Sequence, residues 1–180
     1  MTQFTSKDSL LYNSLVNFYS VNNNLEILLP IINQTSSISL RILDWLVTNY
    51  SKKHNVYYEI FKNGNRQIFS IYLSYKNQLK AYSKKYFDPF CRRDRITIEL
   101  CKLNQDMTGT ISTTIGQLNF FRWFIENKLL NFVVLNINNI DKDMNETLST
   151  IKDKKKRKEL SSNTIKNVNV IHETFLISFD

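Results

Sequence analysis

Seven basic side chains fall within twenty residues of this chain: Lys76, Lys80, Lys84, Lys85, Arg92, Arg93 and Arg95. Only Asp88 and Asp94 oppose them, so the segment carries a net +5. Arginine grips phosphate oxygens through two parallel N–H groups, while lysine acts as a mobile point charge. Phosphate binding is the chemistry such a cluster supplies, with affinity that falls steeply as salt rises. Lys80, Lys84, Lys85, Arg92, Arg93 and Arg95 are the residues expected to meet a nucleic-acid backbone. Tyr75, Tyr82, Tyr86, Phe87 and Phe90 are interleaved with them. Aromatics so placed either stack on unpaired bases or form the buried side of an element, and burial is the commoner outcome.

A second group, Lys154, Lys155, Lys156, Arg157 and Lys158, is an unbroken basic pentad. It reads as a nuclear-import signal for an import receptor or as an auxiliary phosphate patch, set against a merely solvated, lysine-rich helix end. From Lys152 to Lys158 six bases oppose Asp153, another net +5. The whole chain of 180 residues carries +8, so the remainder is slightly acidic. A/T-rich codon usage inflates lysine and asparagine everywhere. It does not gather lysines into two places.

Other chemistries find little support. His54 and His172 are the only histidines, and Cys91 and Cys101 are the only cysteines. This is no zinc pattern and no disulfide framework, which suits a reducing compartment. Gly109 and Gly116 form neither a P-loop nor a dinucleotide fingerprint. The acidic pairs Asp141/Asp143 and Asp88/Asp94 lack the clustering that two-metal catalysis needs. The expectation is a non-enzymatic protein without metal or cofactor. The first residues lack the basic-then-apolar order of a secretory signal, and no apolar run approaches the roughly 20 residues of a membrane span. An intracellular protein that does not enter membranes is expected.

The elements that must carry these residues are legible from period and punctuation. Asp8 to Tyr19 reads as a helix capped at Ser6 or Asp8, and Leu25 to Ile32 as a helix bent or ended by Pro30. Ser36 or Ser37 caps a stronger helix from Ile38 to about Lys52. Val56 to Phe61 and Arg66 to Leu73 read as a hairpin turning at Asn63-Gly64. Tyr75 to Lys85 is a basic helix or a continuation of that strand, and Arg95 to Leu103 is a strand. Thr113 or Thr114 caps an aromatic helix, Ile115 to Leu130. Gln117, Asn119 and Arg122 could reach base edges from it, but its aromatics favour a core helix. Phe132 to Ile137 is expected as a strand, Asp141 to Glu159 as a polar helix, and Val168 to Phe179 as a terminal strand through which a homodimer could form.

The fold class is therefore α+β, with N-terminal helices packed with a small antiparallel sheet and a central amphipathic helix. The segments are 1–35 (helical), 36–137 (the α+β core) and 138–180 (basic helix and last strand), together one compact domain.

Four stretches, LDWLVTNYSKK (Leu43–Lys53), YKNQLKAYSKK (Tyr75–Lys85), FDPFCRRDRI (Phe87–Ile96) and TTIGQLNFFRWFIEN (Thr113–Asn127), carry a resemblance. They resemble a poorly characterised protein family of nucleocytoplasmic large DNA viruses, the giant viruses of amoebae and algae. The resemblance spans Ser39 to Phe132. It implies a DNA-virus setting, in the nucleus or viral factory of an infected host, and it brings no catalytic residue set. The function expected is a basic viral protein that binds double-stranded DNA through the phosphate backbone with little sequence preference. The competing expectations are a protein-interaction or virion adaptor with an acidic partner, and an RNA or single-strand binder.

Overall fold

A computed structural model of the chain describes residues 5–21, 23–62 and 64–159, with the side chains of 62 and 152–159 outside it. Helix α1 (Ser6–Tyr19) starts two residues earlier than its sequence suggests, because Thr5, rather than Ser6 or Asp8, is the cap. The Thr5 hydroxyl accepts from Asp8 N at 3.2 Å, and the Asp8 carboxylate takes both Thr5 N (3.0 Å) and the Thr5 hydroxyl (2.8 Å). This reciprocal box satisfies two end groups that a helix otherwise leaves open. Helix α2 (Asn24–Ile32) contains Pro30. Ser39, rather than Ser36 or Ser37, caps α3 (Leu40–Trp45), accepting from Ile42 N at 3.2 Å. The helical path continues through a π-helical stretch, Leu46–Tyr50, into α4 (Ser51–Lys53).

Strands β1 (Tyr57–Lys62) and β2 (Asn65–Ser70) pair antiparallel, with Tyr58 opposite Phe69 and Ile60 opposite Gln67. Gly64 takes φ +77°, the left-handed geometry that the Asn-Gly signal anticipates. Alternation puts Ile60 and Phe69 inward, while Tyr57, Phe61 and Ile68 stay exposed on the other face. The return strand stops at Ser70, since Ile71 opens helix α5 (Ile71–Tyr86). The basic segment is thus mostly helix.

A second two-stranded ladder pairs β3 (Ile96–Glu99) with β4 (Thr110–Thr113). Ile96, Ile98, Ile111 and Thr113 are buried, giving a period-two pattern in both strands. β3 ends four residues short of Leu103, where a 3-10 turn, Leu100–Lys102, takes over. The chain is α+β, with two separate small antiparallel sheets among the described residues.

Helix α6 (Ile115–Glu126) is the centre: nine of its twelve residues are buried. A helix enclosed on nearly every side is core rather than a recognition surface. Trp123 joins the layers, with Phe87 at 5.5 Å, Phe120 at 5.8 Å, Tyr75 at 6.3 Å and Phe69 at 6.4 Å between ring centroids. Helix α6 ends before Leu130 because Lys128 adopts φ +55°. Asn127 holds that break, donating to Trp123 O at 2.7 Å and accepting from the Tyr58 hydroxyl at 2.7 Å.

Helix α7 (Leu129–Glu159) follows. The strand expected at Phe132 to Ile137 is helix instead. Leu129, Val133 and Ile140 are fully buried while Val134 and Leu135 are exposed, a helical spacing that no strand produces. The chain falls into two units, divided between Met144 and Asn145 within α7. No described helix is long and apolar enough to cross a membrane. The terminal strand expected at Val168 to Phe179 lies outside the described residues.

Candidate nucleic-acid interface

Helix α5 presents Lys76 and Lys80 to solvent four residues apart, on one face. Ser83 then leaves helical geometry, at φ +57° and ψ 174°, and Lys84 and Lys85 emerge beyond this kink. The chain next enters a loop, residues 87–95, that α6 holds in place. Asp88 N donates to Gly116 O at 3.2 Å, Gln117 Nε2 to Pro89 O at 2.9 Å, and Asn119 Nδ2 to Tyr86 O at 2.9 Å. Gln117 and Asn119 are therefore committed to the protein's own backbone, and Arg122 bonds Glu126 (2.9 Å) and Ser14 (2.8 Å). None of the three is offered to a base edge.

Close approach of α6 to this loop requires glycine. A Cβ at Gly116 would lie 2.8 Å from Lys85 O and 3.3 Å from Phe87 N, both backbone atoms. Glycine to alanine in an open helix gains up to about 1 kcal/mol. Here the clash outweighs that gain, and overpacking costs about 1–3 kcal/mol. Gly116→Ala is expected to lower the melting temperature by several degrees in a thermal unfolding scan.

Arg92 is spent locally. Its Nε and Nη2 reach Asp88 Oδ2 and Oδ1 at 3.1 and 2.5 Å, and its guanidinium lies over Phe90 at 4.7 Å. Asp88 is buried, so the pair anchors the loop. Lys84 and Arg93 share a cleft of about 250 Å³ with Asp88 and Arg92. Asp44 also borders this charge group: burial, reinforced by Asp88, pushes its carboxyl up against the opposing pull of Arg92 and Lys84.

Arg93 also lines a second cavity, of about 140 Å³, with Lys85, Asp94, Tyr86, Asp8 and the first turn of α6. The structure thus gathers Lys84, Lys85, Arg92 and Arg93 around one end of α5. Arg95 is exposed at the end of the loop, and Lys80 lies one helical turn before the kink. Among the described residues, Lys80, Lys84, Arg93 and Arg95 make no ion pair within 4.0 Å. The interleaved aromatics divide: Tyr75 and Phe87 are buried in the core, while Tyr82, Tyr86 and Phe90 are half-buried. Of the pentad Lys154, Lys155, Lys156, Arg157 and Lys158, only the helical backbone is placed; the side chains lie outside the described residues.

Sequence reasoning missed the two pins, Gln117 and Asn119, although polar amides embedded in an aromatic helix were a usable signal. It also missed Asp8, which lies 85 positions before Arg93 and has no local sign of the meeting.

A family of unknown function (DUF7197) matches residues 1–175. The chain is also 42% identical over 166 residues to the uncharacterized protein L507 of Acanthamoeba polyphaga mimivirus, covering 92% of this chain. It spans 63% of that relative's length. No solved structure matches the chain.

Proposed function

We propose, from the premise that the chain belongs to the family of unknown function DUF7197 with a mimivirus relative, that it binds duplex DNA through the phosphate backbone with little sequence preference. The observation that carries this reading is the convergence of Lys84, Lys85 and Arg93 at one end of α5, flanked by exposed Lys80 and Arg95. These five are the contact residues. Arg92 keeps the loop stiff and contributes a partly neutralised charge. Asp94 tempers the patch, so binding is moderate rather than tight. Action at the host nucleus or viral factory belongs to the same proposal, with Lys154 to Lys158 as the import or auxiliary element.

The test is fluorescence anisotropy with duplex DNA across a salt series. Each phosphate contact adds about 0.9 to the slope of log affinity against log salt. The Lys80→Ala, Lys84→Ala, Arg93→Ala, Arg95→Ala combination is expected to reduce that slope by about 3–4. Absence of duplex binding at low salt, or an unchanged slope, overturns the reading. Stronger competition by single strands would favour stacking on Tyr82 or Phe90 and transfer the proposal to unpaired nucleic acid.

One observation favours a protein-interaction module as the second reading. The outer face of the hairpin exposes Tyr57, Phe61 and Ile68 at 69, 65 and 77%. Ile68 sits across from Glu59, between the other two, so the three form one apolar patch. A defined protein partner lost on Ile68→Asp, with duplex binding absent, would select this reading.

A further inference from the structure

Ser83 is held in a backbone conformation that serine does not favour. At φ +57° and ψ 174° it borders a region of backbone space essentially reserved for glycine. Strain of this kind persists only where the surroundings impose it. Here they impose it from both sides. Upstream, Ile71 and Tyr75 bury α5 in the core. Downstream, Gly116 lies close against Lys85 O, and Asn119 Nδ2 donates to Tyr86 O at 2.9 Å. The chain swings out of α5 between these fixed points, and Ser83 is where it swings. Glycine would make the same turn with less strain. What serine adds is a hydroxyl, on an exposed residue, that accepts one long hydrogen bond from Lys85 N at 3.3 Å.

The residues around that hydroxyl are basic and open to solvent. Lys80 stands three positions before Ser83, and Lys84 and Lys85 follow it directly; all three are exposed. Lys84 and Lys85 each line a cavity with Arg93. A kinase whose substrate groove is lined with carboxylates selects a serine in this setting, because both flanks pair with the groove. The kink also makes the serine reachable. In an unbroken helix Ser83 would be interior, whereas the break makes residues 80–82 a terminal turn, which opens at little cost. Ala81 is exposed and Tyr82 half-buried, so little packing resists that opening. Ser74, in the same helix, is the opposite case: it is half-buried, and its hydroxyl accepts from Trp123 Nε1 at 3.0 Å.

We propose that Ser83 is a phosphorylation site for a basic-directed serine kinase, and that its phosphate draws the neighbouring lysines onto itself. The γ-phosphoryl group of ATP passes to Ser83 Oγ: the Oγ–P bond forms as the bond from that phosphorus to the departing ADP oxygen breaks. The hydroxyl proton goes to the carboxylate base of the kinase. The product carries a charge of about −1.5 to −2 near pH 7, between Lys80 and the Lys84-Lys85 pair. It neutralises about two of the five cations assigned to duplex contact, a consequence that rests on the duplex-binding reading above. Modification switches that surface off.

In the experiment, the full chain is treated with magnesium ATP and a basic-directed serine kinase, and fragmentation mass spectrometry locates the modified residue. Phosphate is expected on Ser83 and not on Ser74, and Ser83→Gly, which keeps the turn, is expected to stay unmodified in α5. Phosphorus NMR then follows the phosphoserine through its second ionisation, near pH 6 in a free peptide. Lysines drawn onto the phosphate lower that midpoint by about half a pH unit or more, and Lys84→Ala with Lys85→Ala restores it. In duplex anisotropy the modified protein is expected to bind at least about tenfold more weakly than unmodified protein or Ser83→Gly, with a salt slope smaller by about 2. No phosphate on Ser83, under conditions where the kinase modifies a basic control peptide, overturns the proposal. So does a midpoint equal to that of a free phosphoserine peptide, or duplex binding left unchanged by the modification. If unmodified protein does not bind duplex at all, the duplex reading falls, while the location and titration of the phosphate still decide this one.

Discussion

Replacing Phe120 with alanine is expected to cost about 3–5 kcal/mol, the range for removing a fully buried ring that its neighbours cannot fill. Phe120 has no exposed surface and touches four other aromatics: Phe87 at 5.3 Å, Phe121 at 5.5 Å, Phe124 at 5.6 Å and Trp123 at 5.8 Å. Each is held by a different demand. Phe87 starts the loop that carries Arg92 and Arg93, and Trp123 donates to the Ser74 hydroxyl of α5 at 3.0 Å. The void therefore cannot collapse without moving the loop. Urea unfolding followed by tryptophan fluorescence measures the loss, and Leu135→Ala, at an 82% exposed site, is the control expected to stay within about 0.5 kcal/mol of wild type. A loss under about 1 kcal/mol would mean that the cluster is not packed as described.

The second large effect is expected at Asp143, which fastens α7 to the α3–α4 segment. Its side chain is 7% exposed; Oδ2 accepts from Trp45 Nε1 at 2.8 Å, and Oδ1 meets the Lys53 ammonium and, at 3.3 Å, His54 Nε2. Both partners, Lys53 and His54, are substantially exposed to solvent, so these contacts count for little by themselves. The damage comes from stranding the indole N–H and leaving a hole at a helix junction. Asp143→Ala is expected to cost about 2–3 kcal/mol at neutral pH. Burial pushes the Asp143 carboxyl up, but Lys53, Trp45 and His54 together carry it below the usual value. A depressed folded-state pKa means stability that is present above the unfolded value of about 4 and disappears as pH falls through the folded one. The gap between wild type and Asp143→Ala is therefore expected to be full at pH 7 and to narrow below about pH 4 in denaturation series. A gap that is constant across that window would show that the carboxylate's charge contributes nothing.

The hairpin and α6 were legible in the sequence because each announces itself locally. Asn63-Gly64 lies between β-branched and aromatic runs, and Thr114 precedes a dense aromatic stripe. Phe132 to Ile137 misled because a short apolar run has no period of its own. Only the burial of Leu129, Val133 and Ile140, outside or at the edge of that run, shows the helix. Strand β4 was invisible: Thr110 to Thr113 is short, polar, and defined by its partner Ile96 to Glu99 rather than by its own composition. The basic cluster was readable as composition, and the structure places Lys84, Lys85, Arg92 and Arg93 around one end of α5. What composition could not show is the bidentate bond that ties Arg92 to Asp88, since the same two residues four apart could equally have faced solvent. The Asp8 cavity depends on three distant segments meeting, and no local pattern encodes it.

The uncovered hairpin face has a bearing on how the molecule behaves in crowded solution. At a formal +8, copies of the protein repel one another, and that repulsion keeps Tyr57, Phe61 and Ile68 of neighbouring molecules apart. Added electrolyte shortens its reach, from about 10 Å at 0.1 M to about 3 Å at 1 M. Ionic strength thus pulls in two directions at once: it would weaken the polyanion binding proposed for the cationic end of α5, and it draws the apolar outer faces of the hairpins toward each other.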